Sequence, residues 1–236
     1  MKRLINCINA SFGYEGKTVA ENISFEIYEG DYIFIVGENG SGKSTLIKGI
    51  LSLIKPYNGA IELENSLTQS DIGYFPQHTE LKNDFPASVE EIVLSGCMSN
   101  SSGKFFYNRK DKALAEEKMK ILDVFDIRKK AFSSLSGGQR QRVLLSRALC
   151  ATKKMIILDE PVANLDPLVT REFYDIINKI NKEMNITVLM VSHDINSTVK
   201  YAKKILHIGE NENFFGDLDE YLSKGPGKDF LGGKRL

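Results

Sequence analysis

The run Gly37-Glu38-Asn39-Gly40-Ser41-Gly42-Lys43-Ser44 has the spacing G-x-x-x-x-G-K-[ST], a loop suited to holding phosphate. Its glycines let backbone N–H groups turn inward around an anion, and a following helix N-terminus adds a favourable dipole. Lys43 can reach the β- and γ-phosphates of a nucleotide, and the Ser44 hydroxyl can ligate Mg²⁺. A second element, Met155-Ile156-Ile157-Leu158-Asp159-Glu160, is an apolar run that ends in two carboxylates. Asp159 at the strand end can hold a magnesium shell. Glu160, one residue further and pointed differently, could polarise an attacking water. A third, Leu135-Ser136-Gly137-Gly138-Gln139, opens a stretch that carries Arg140, Arg142 and Arg147. Ser-Gly-Gly at a helix start is another nest of N–H groups able to hold an anion. Two such nests with only one lysine-bearing loop point to one nest serving a nucleotide held by a second copy. Alone, each element has a plainer reading: a glycine turn, a solvated acid pair, a capped helix. Their occurrence in one chain favours the phosphate chemistry.

Strands and helices must aim these loops. Short apolar runs predict strands over 3–10, 22–28 and 31–36. Residues 32–36 are apolar throughout, as in a strand buried on both faces, and run straight into the glycine loop. A helix is expected from 43 to about 53, stopped by Lys55-Pro56-Tyr57-Asn58-Gly59. Between 84 and 149, Val89, Ile92 and Val93 recur at helical spacing, as do Ala113, Leu114, Met119, Ile121, Leu122 and Phe125. That block reads as a helical insertion in an α/β domain. A strand over 155–158, a helix over 169–184 and a strand over 186–191 then imply a parallel sheet. The expected domain covers 1–223. Gly225, Pro226, Gly227, Gly232 and Gly233 mark 224–236 as a flexible tail.

Lys+Arg and Asp+Glu are both 31, so the net charge is zero, and hydrophobic residues make up 42%. This is ordinary globular composition. It excludes a disordered acidic tail or a basic nucleic-acid coat. No apolar run approaches the roughly 20 residues that span a bilayer, and the N-terminus lacks the apolar core of a secretory signal. The chain is expected to be soluble, with any membrane role coming through a partner. Cys7, Cys97 and Cys150 are few, odd in number and without C-x-x-C spacing. That fits a reducing compartment and structural thiols. Cys97 and Met98 together fall short of a metal coordination set. His78 and His207 have no motif context.

In order and spacing these motifs resemble the ATP-binding cassette ATPases of ABC transporters, over about 4–222. The resemblance implies an α/β phosphate-loop NTPase fold with a mixed or parallel core sheet. It also implies an N-terminal antiparallel β subdomain and an α-helical subdomain inserted at about 84–149. It matches the signature motif to 135–139, and the Walker B motif with its catalytic glutamate to 155–160. The D-loop matches Ala163-Asn164-Leu165-Asp166, and the switch histidine matches His193 in Val191-Ser192-His193-Asp194. The Q-loop glutamine matches Gln77 in Tyr74-Phe75-Pro76-Gln77. The adenine-stacking aromatic matches Tyr14 in Phe12-Gly13-Tyr14, with Phe12 the alternative.

By that resemblance Tyr14, Gly37, Asn39, Gly40, Ser41, Gly42, Lys43, Ser44 and Thr45 hold ATP in one copy. Ser136, Gly137, Gly138 and Gln139 of a second copy close on it, head to tail. Ser44, Gln77 and Asp159 are the implied magnesium ligands, and Glu160, His193 and Gln77 the implied catalytic set. The implied partners are the second copy, integral membrane permease subunits and, indirectly, an extracytoplasmic metal-binding protein. No nucleic acid is implied. The implied location is peripheral, on the cytoplasmic face of the cell membrane. The stretch Asp84-Phe85-Pro86-Ala87-Ser88-Val89-Glu90-Glu91-Ile92-Val93-Leu94-Ser95-Gly96 resembles bacterial metal-import cassettes, as do Phe214-Phe215-Gly216 and Glu220-Tyr221-Leu222. Zinc is favoured, with manganese or an iron chelate as the alternative. A soluble cassette acting on ribosomes or DNA would carry two cassettes or a coiled-coil insertion, and this chain has one copy of each motif. A non-hydrolysing regulatory cassette is disfavoured by the presence of Glu160 and His193.

Overall fold

The computed structural model describes residues 1–14, 17–65, 67–77, 86–100, 106–163, 165–192, 200–209 and 212–228. These fall into two compact units, Met1–Gln69 with Asn181–Leu236, and Ser70–Ile180.

In the first unit, β1 (Arg3–Tyr14) pairs antiparallel with β2 (Lys17–Tyr28) and β4 (Asn58–Leu63), in the order β2-β1-β4. The sequence predicts β1 only as far as residue 10, beside which Asn9 is left-handed (φ 46°) and the register shifts. The shift breaks the alternation on which a strand prediction rests, yet the strand continues. Gly59 completes the bulge. Its φ is 72°, and a Cβ there would lie 2.2 Å from the Asn9 carbonyl. Arg3 on β1 bridges Glu26 on β2 and Glu64 beyond β4, the latter at 2.8 Å.

The same unit holds β3 (Tyr32–Val36) parallel to both β7 (Thr187–Val191) and β8 (Lys204–Ile208). An antiparallel β9 (Asn213–Asp217) lies on β8. Tyr32, Ile33, Phe34 and Ile35 have no exposed surface, which explains why β3 is apolar at every position. Helix α1 (Lys43–Ile50) follows the glycine loop and buries Leu46, Ile47 and Ile50. It ends before the expected residue 53, because Ser52 is left-handed (φ 55°). Asn181 anchors the entry to β3. Its buried Nδ2 lies within hydrogen-bond distance of the carbonyls of Gly30 (3.2 Å), Asp31 (3.2 Å) and Ile186 (2.8 Å).

In the second unit β5 (Ile72–Phe75) runs parallel to β6 (Met155–Asp159). Around them lie α2 (Val89–Ser95), α3 (Arg109–Ile121), α4 (Gly137–Ala151) and α5 (Pro167–Met184), whose last turn belongs to the first unit. Ser88 with Glu91 and Asn108 with Asp111 form reciprocal capping boxes at α2 and α3, each satisfying helix-end N–H groups. Val89, Ile92, Val93, Met119 and Leu122 are buried, as the helical spacing predicts, whereas Ala113 and Ile121 of the same set are exposed. Back in the first unit, a short α6 (Leu218–Ser223) precedes a turn in which a Cβ at Gly227 would meet the Tyr221 ring at 2.5 Å. No helix among the described residues is long and apolar enough to cross a membrane.

Candidate active site

The phosphate loop lies in the first unit, between β3 and α1. Gly37, Gly40 and Gly42 have φ of 145°, 85° and 96°, a region that L side chains rarely adopt. At Gly37 a Cβ would also stand 2.2 Å from the Ile208 carbonyl, and at Gly42 it would stand 2.7 Å from the Ala20 Cβ. The loop is therefore glycine-rich by steric need. Gly42 ends it as the N-cap of α1 without a side-chain cap, and the first turn of α1 carries no acid. Its leading N–H groups and dipole are thus available to an anion. Lys43 is buried, and its Nζ donates to the carbonyls of Gly37 (2.9 Å) and Glu38 (2.6 Å). The Ser41 Oγ is enclosed and has no hydrogen-bond partner among the described residues. A cleft of about 730 Å³ lies beside the loop, lined by Thr18 to Asn22, by Glu38 to Ser41 and by Gly209, Glu212 and Asn213. Glycines without Cβ atoms, an ammonium held on carbonyls and an enclosed hydroxyl all fit phosphate oxygens.

The acidic element lies in the second unit. Asp159 ends β6 with 4% of its surface exposed, and its Oδ2 accepts a long hydrogen bond from the Tyr74 hydroxyl at 3.5 Å. Burial, with the Asp159 charge adding to it, pushes the Tyr74 pKa up to about 12. The phenol therefore stays protonated as a donor. Glu160 is left-handed (φ 48°), so the chain turns sharply between the two acids and aims them apart. Its Oε2 accepts from Gln77 Nε2 at 2.8 Å. Two residues matched separately in the sequence thus meet. Tyr74, within the Gln77 motif, gains this role from its place in β5 opposite Ile157 of β6.

The Ser136 nest is a real helix start. Ser136 caps α4, its Oγ accepting from Gln139 N at 3.3 Å while Gln139 Oε1 accepts from Ser136 N at 3.2 Å. Ser136 and Gly137 are exposed. A Cβ at Gly138 would meet Val169 of α5 at 2.8 Å, so part of this glycine pair serves packing. Asp166 caps α5, its Oδ1 accepting from Leu168 N (3.1 Å) and Val169 N (3.0 Å), with Pro167 at the favoured first helical position.

Tyr14 lies at the end of β1, but its side chain, like His193, His78 and Asn164, lies outside the described residues. Phe12, the alternative aromatic, is 1% exposed and packs its ring against Gly49 of α1. It is a core residue and presents no face to a base.

The sequence matches the ABC transporter family over residues 20–163. Among relatives, a probable metal transport system ATP-binding protein of Chlamydia pneumoniae is 37% identical, covering 87% of this chain and 85% of that protein. A zinc uptake system ATP-binding protein of Listeria monocytogenes is 35% identical, covering 94% and 88%. Among solved structures, a metal-chelate type ABC transporter in an inward-facing conformation aligns with a TM-score of 0.86 at 30% identity, covering 95% of this chain and 87% of that one. A bacterial ABC transporter cassette solved as a dimer aligns with a TM-score of 0.76 at 26% identity, covering 91% and 99%.

Proposed function

The chain belongs to the ABC transporter family and carries its ATPase cassette, and on that premise we propose that it powers a bacterial importer of divalent metal ions, zinc being the favoured cargo. The observation that carries the ATPase reading is the phosphate loop. Its left-handed glycines, the Lys43 ammonium resting on two carbonyls and the enclosed Ser41 hydroxyl fit the β- and γ-phosphates of ATP. Lys43 exchanges carbonyl oxygens for phosphate oxygens, and Gly37, Asn39, Gly40, Gly42, Ser44 and Thr45 complete the cradle. Tyr14 stacks on the base. Ser44, Gln77 and Asp159 would hold magnesium, which when bound neutralises charge on the phosphates. Glu160 orients the water and takes its proton, and His193 contacts the γ-phosphate.

Two copies associate head to tail, so that Ser136, Gly137, Gly138 and Gln139 of one close on the nucleotide of the other. A related cassette solved as a dimer supports the pairing of two copies. ATP in both halves favours the closed pair and hydrolysis releases it, a ligand-biased two-state switch. The subunit sits on the cytoplasmic face of the membrane, beneath permease subunits that receive the ion from an extracytoplasmic metal-binding protein. Residues 1–223 form the cassette, with a helical subdomain at about 84–149; of the expected tail, 229–236 lie outside the described residues. Relatives named for zinc uptake support that cargo, with manganese or an iron chelate as the alternative.

Growth of a deletion strain under separate zinc and manganese limitation tests the reading. Zinc-specific failure, rescued by this chain, is the expected result. Manganese-specific failure would move the assignment to the alternative. Normal growth and uptake under both would overturn metal import, while Mg²⁺-dependent ATPase activity of the purified chain tests the enzyme separately.

A further inference from the structure

The helical part of the second unit holds a thiol pair that ATP chemistry does not use. Cys97 lies in the short 3₁₀ helix Gly96–Asn100 that follows α2, and Cys150 lies in the last turn of α4. Both are 1% exposed. Gly96 brings them together. A Cβ there would stand 2.1 Å from the Arg147 carbonyl and 3.1 Å from the Cys150 Cβ, so only glycine lets this backbone press onto α4. Arg147 Nε donates to Ser95 Oγ at 2.9 Å and tightens the same crossing.

The two thiols hydrogen bond to each other. With Cys150 as donor, that bond holds the Cys97 pKa down and pushes Cys150 up, and burial adds to the rise at Cys150. Cys97 Sγ also lies 3.6 Å from the Asp111 carbonyl of α3. The buried Lys118, paired with Glu117 at 2.7 Å, lies on the same helix; its charge opposes the rise at Cys150 and that of Glu117 adds to it. Cys7 provides the contrast. It sits in the first unit, donates to the Ile23 carbonyl at 3.3 Å, and is pushed up to about 12 by burial.

We propose that Cys97 and Cys150 are a disulfide-forming site of this subunit, oxidised by a peroxide. The Cys97 thiolate attacks one peroxide oxygen. An S–O bond forms, the O–O bond breaks, and the leaving hydroxide takes the proton that the Cys97 thiol gave up, becoming water. The Cys150 sulfur then attacks the Cys97 sulfenic sulfur, forming S–S and expelling a second water that carries the Cys150 proton. Two thiols and one hydrogen peroxide thus give one disulfide and two waters, with two electrons passing from sulfur to peroxide. The bond would tie the end of α2 to the far end of the helix that Ser136 begins.

The full-length protein would be treated with hydrogen peroxide, alkylated under denaturing conditions and mapped by mass spectrometry. The expected product is an intrachain Cys97–Cys150 peptide, lighter by two hydrogens and restored by dithiothreitol, with Cys7 still alkylated. In Cys150→Ser, Cys97 should stop at a sulfenic acid that dimedone traps. The proposal is overturned if all three thiols survive a dose that consumes free cysteine, if the bond involves Cys7 or a second chain, or if Cys97 over-oxidises while Cys150 remains a thiol.

Discussion

Gln77 donates its side-chain amide to the Glu160 carboxylate at 2.8 Å, joining a proposed magnesium ligand to the proposed water-polarising group. One oxygen of Glu160 thereby accepts from the Gln77 amide nitrogen, while a metal would take the amide oxygen. Glu160→Gln keeps the shape but cannot accept a proton. ATP binding should persist, turnover should fall about 10²- to 10⁴-fold, and an ATP-bound dimer should accumulate on size-exclusion chromatography. Near-normal turnover would remove Glu160 from its role.

Lys43 rests on the Gly37 and Glu38 carbonyls, and its proposed phosphate contact is charge-assisted. Such bonds are worth about 1.5–3 kcal/mol, or roughly 10- to 100-fold in affinity. Lys43→Met should weaken ATP binding by that range in calorimetry, with circular dichroism unchanged. Unchanged affinity would place the phosphates elsewhere.

Ser136 is exposed at the start of α4, where it is proposed to act on the partner's nucleotide. Ser136→Arg introduces a long cation there. In mixed dimers carrying one variant and one unchanged subunit, the ATP bound by the unchanged subunit should escape hydrolysis. Loss at the variant's own phosphate loop instead would sink the head-to-tail arrangement.

Asn181 sits among three backbone carbonyls at the entry to β3. Asn181→Ala removes the donor while leaving buried acceptors behind. It should cost about 1–3 kcal/mol, read as a lower denaturation midpoint in urea. A change smaller than 0.5 kcal/mol, the ordinary scale of neutral surface substitutions, would show that those carbonyls find other donors.

His207 is buried beside Tyr221, with Nδ1 and the phenol oxygen 2.9 Å apart. Burial holds its pKa below the ordinary 6.5, with the Lys43 charge adding to the effect and Glu38 and Glu212 opposing it. The unfolded chain therefore binds this proton more readily than the native one. Stability should fall as pH drops below about 6.5 towards the depressed native value, and His207 should contribute no slope above that range. His207→Gln should flatten that segment of a stability–pH curve. An unchanged slope would assign it to other groups.

Local chemistry made much of this legible. The phosphate loop and the apolar run of β3 each write their geometry into adjacent residues, because glycine torsions and strand burial are short-range effects, whereas the sequence places the start of α5 at 169 and the Asp166-Pro167 cap puts it at 167. β4, β5, β8 and β9 were not assigned from sequence. They lack the unbroken apolar runs of β3, β6 and β7, and they owe their pairing to partners elsewhere in the chain.

Residue order alone established the motif set and, through it, the family and the choice of Lys43, Asp159, Glu160 and Ser136. Tertiary structure alone decided which side chains touch. Packing buried Phe12 under α1 and so removed it as an alternative to Tyr14. The left-handed turn at Glu160 aimed its carboxylate at Gln77. The missing Cβ of Gly96 let two cysteines far apart in sequence share a hydrogen bond. Such contacts depend on how separate segments approach in space, and spacing along the chain does not encode that distance.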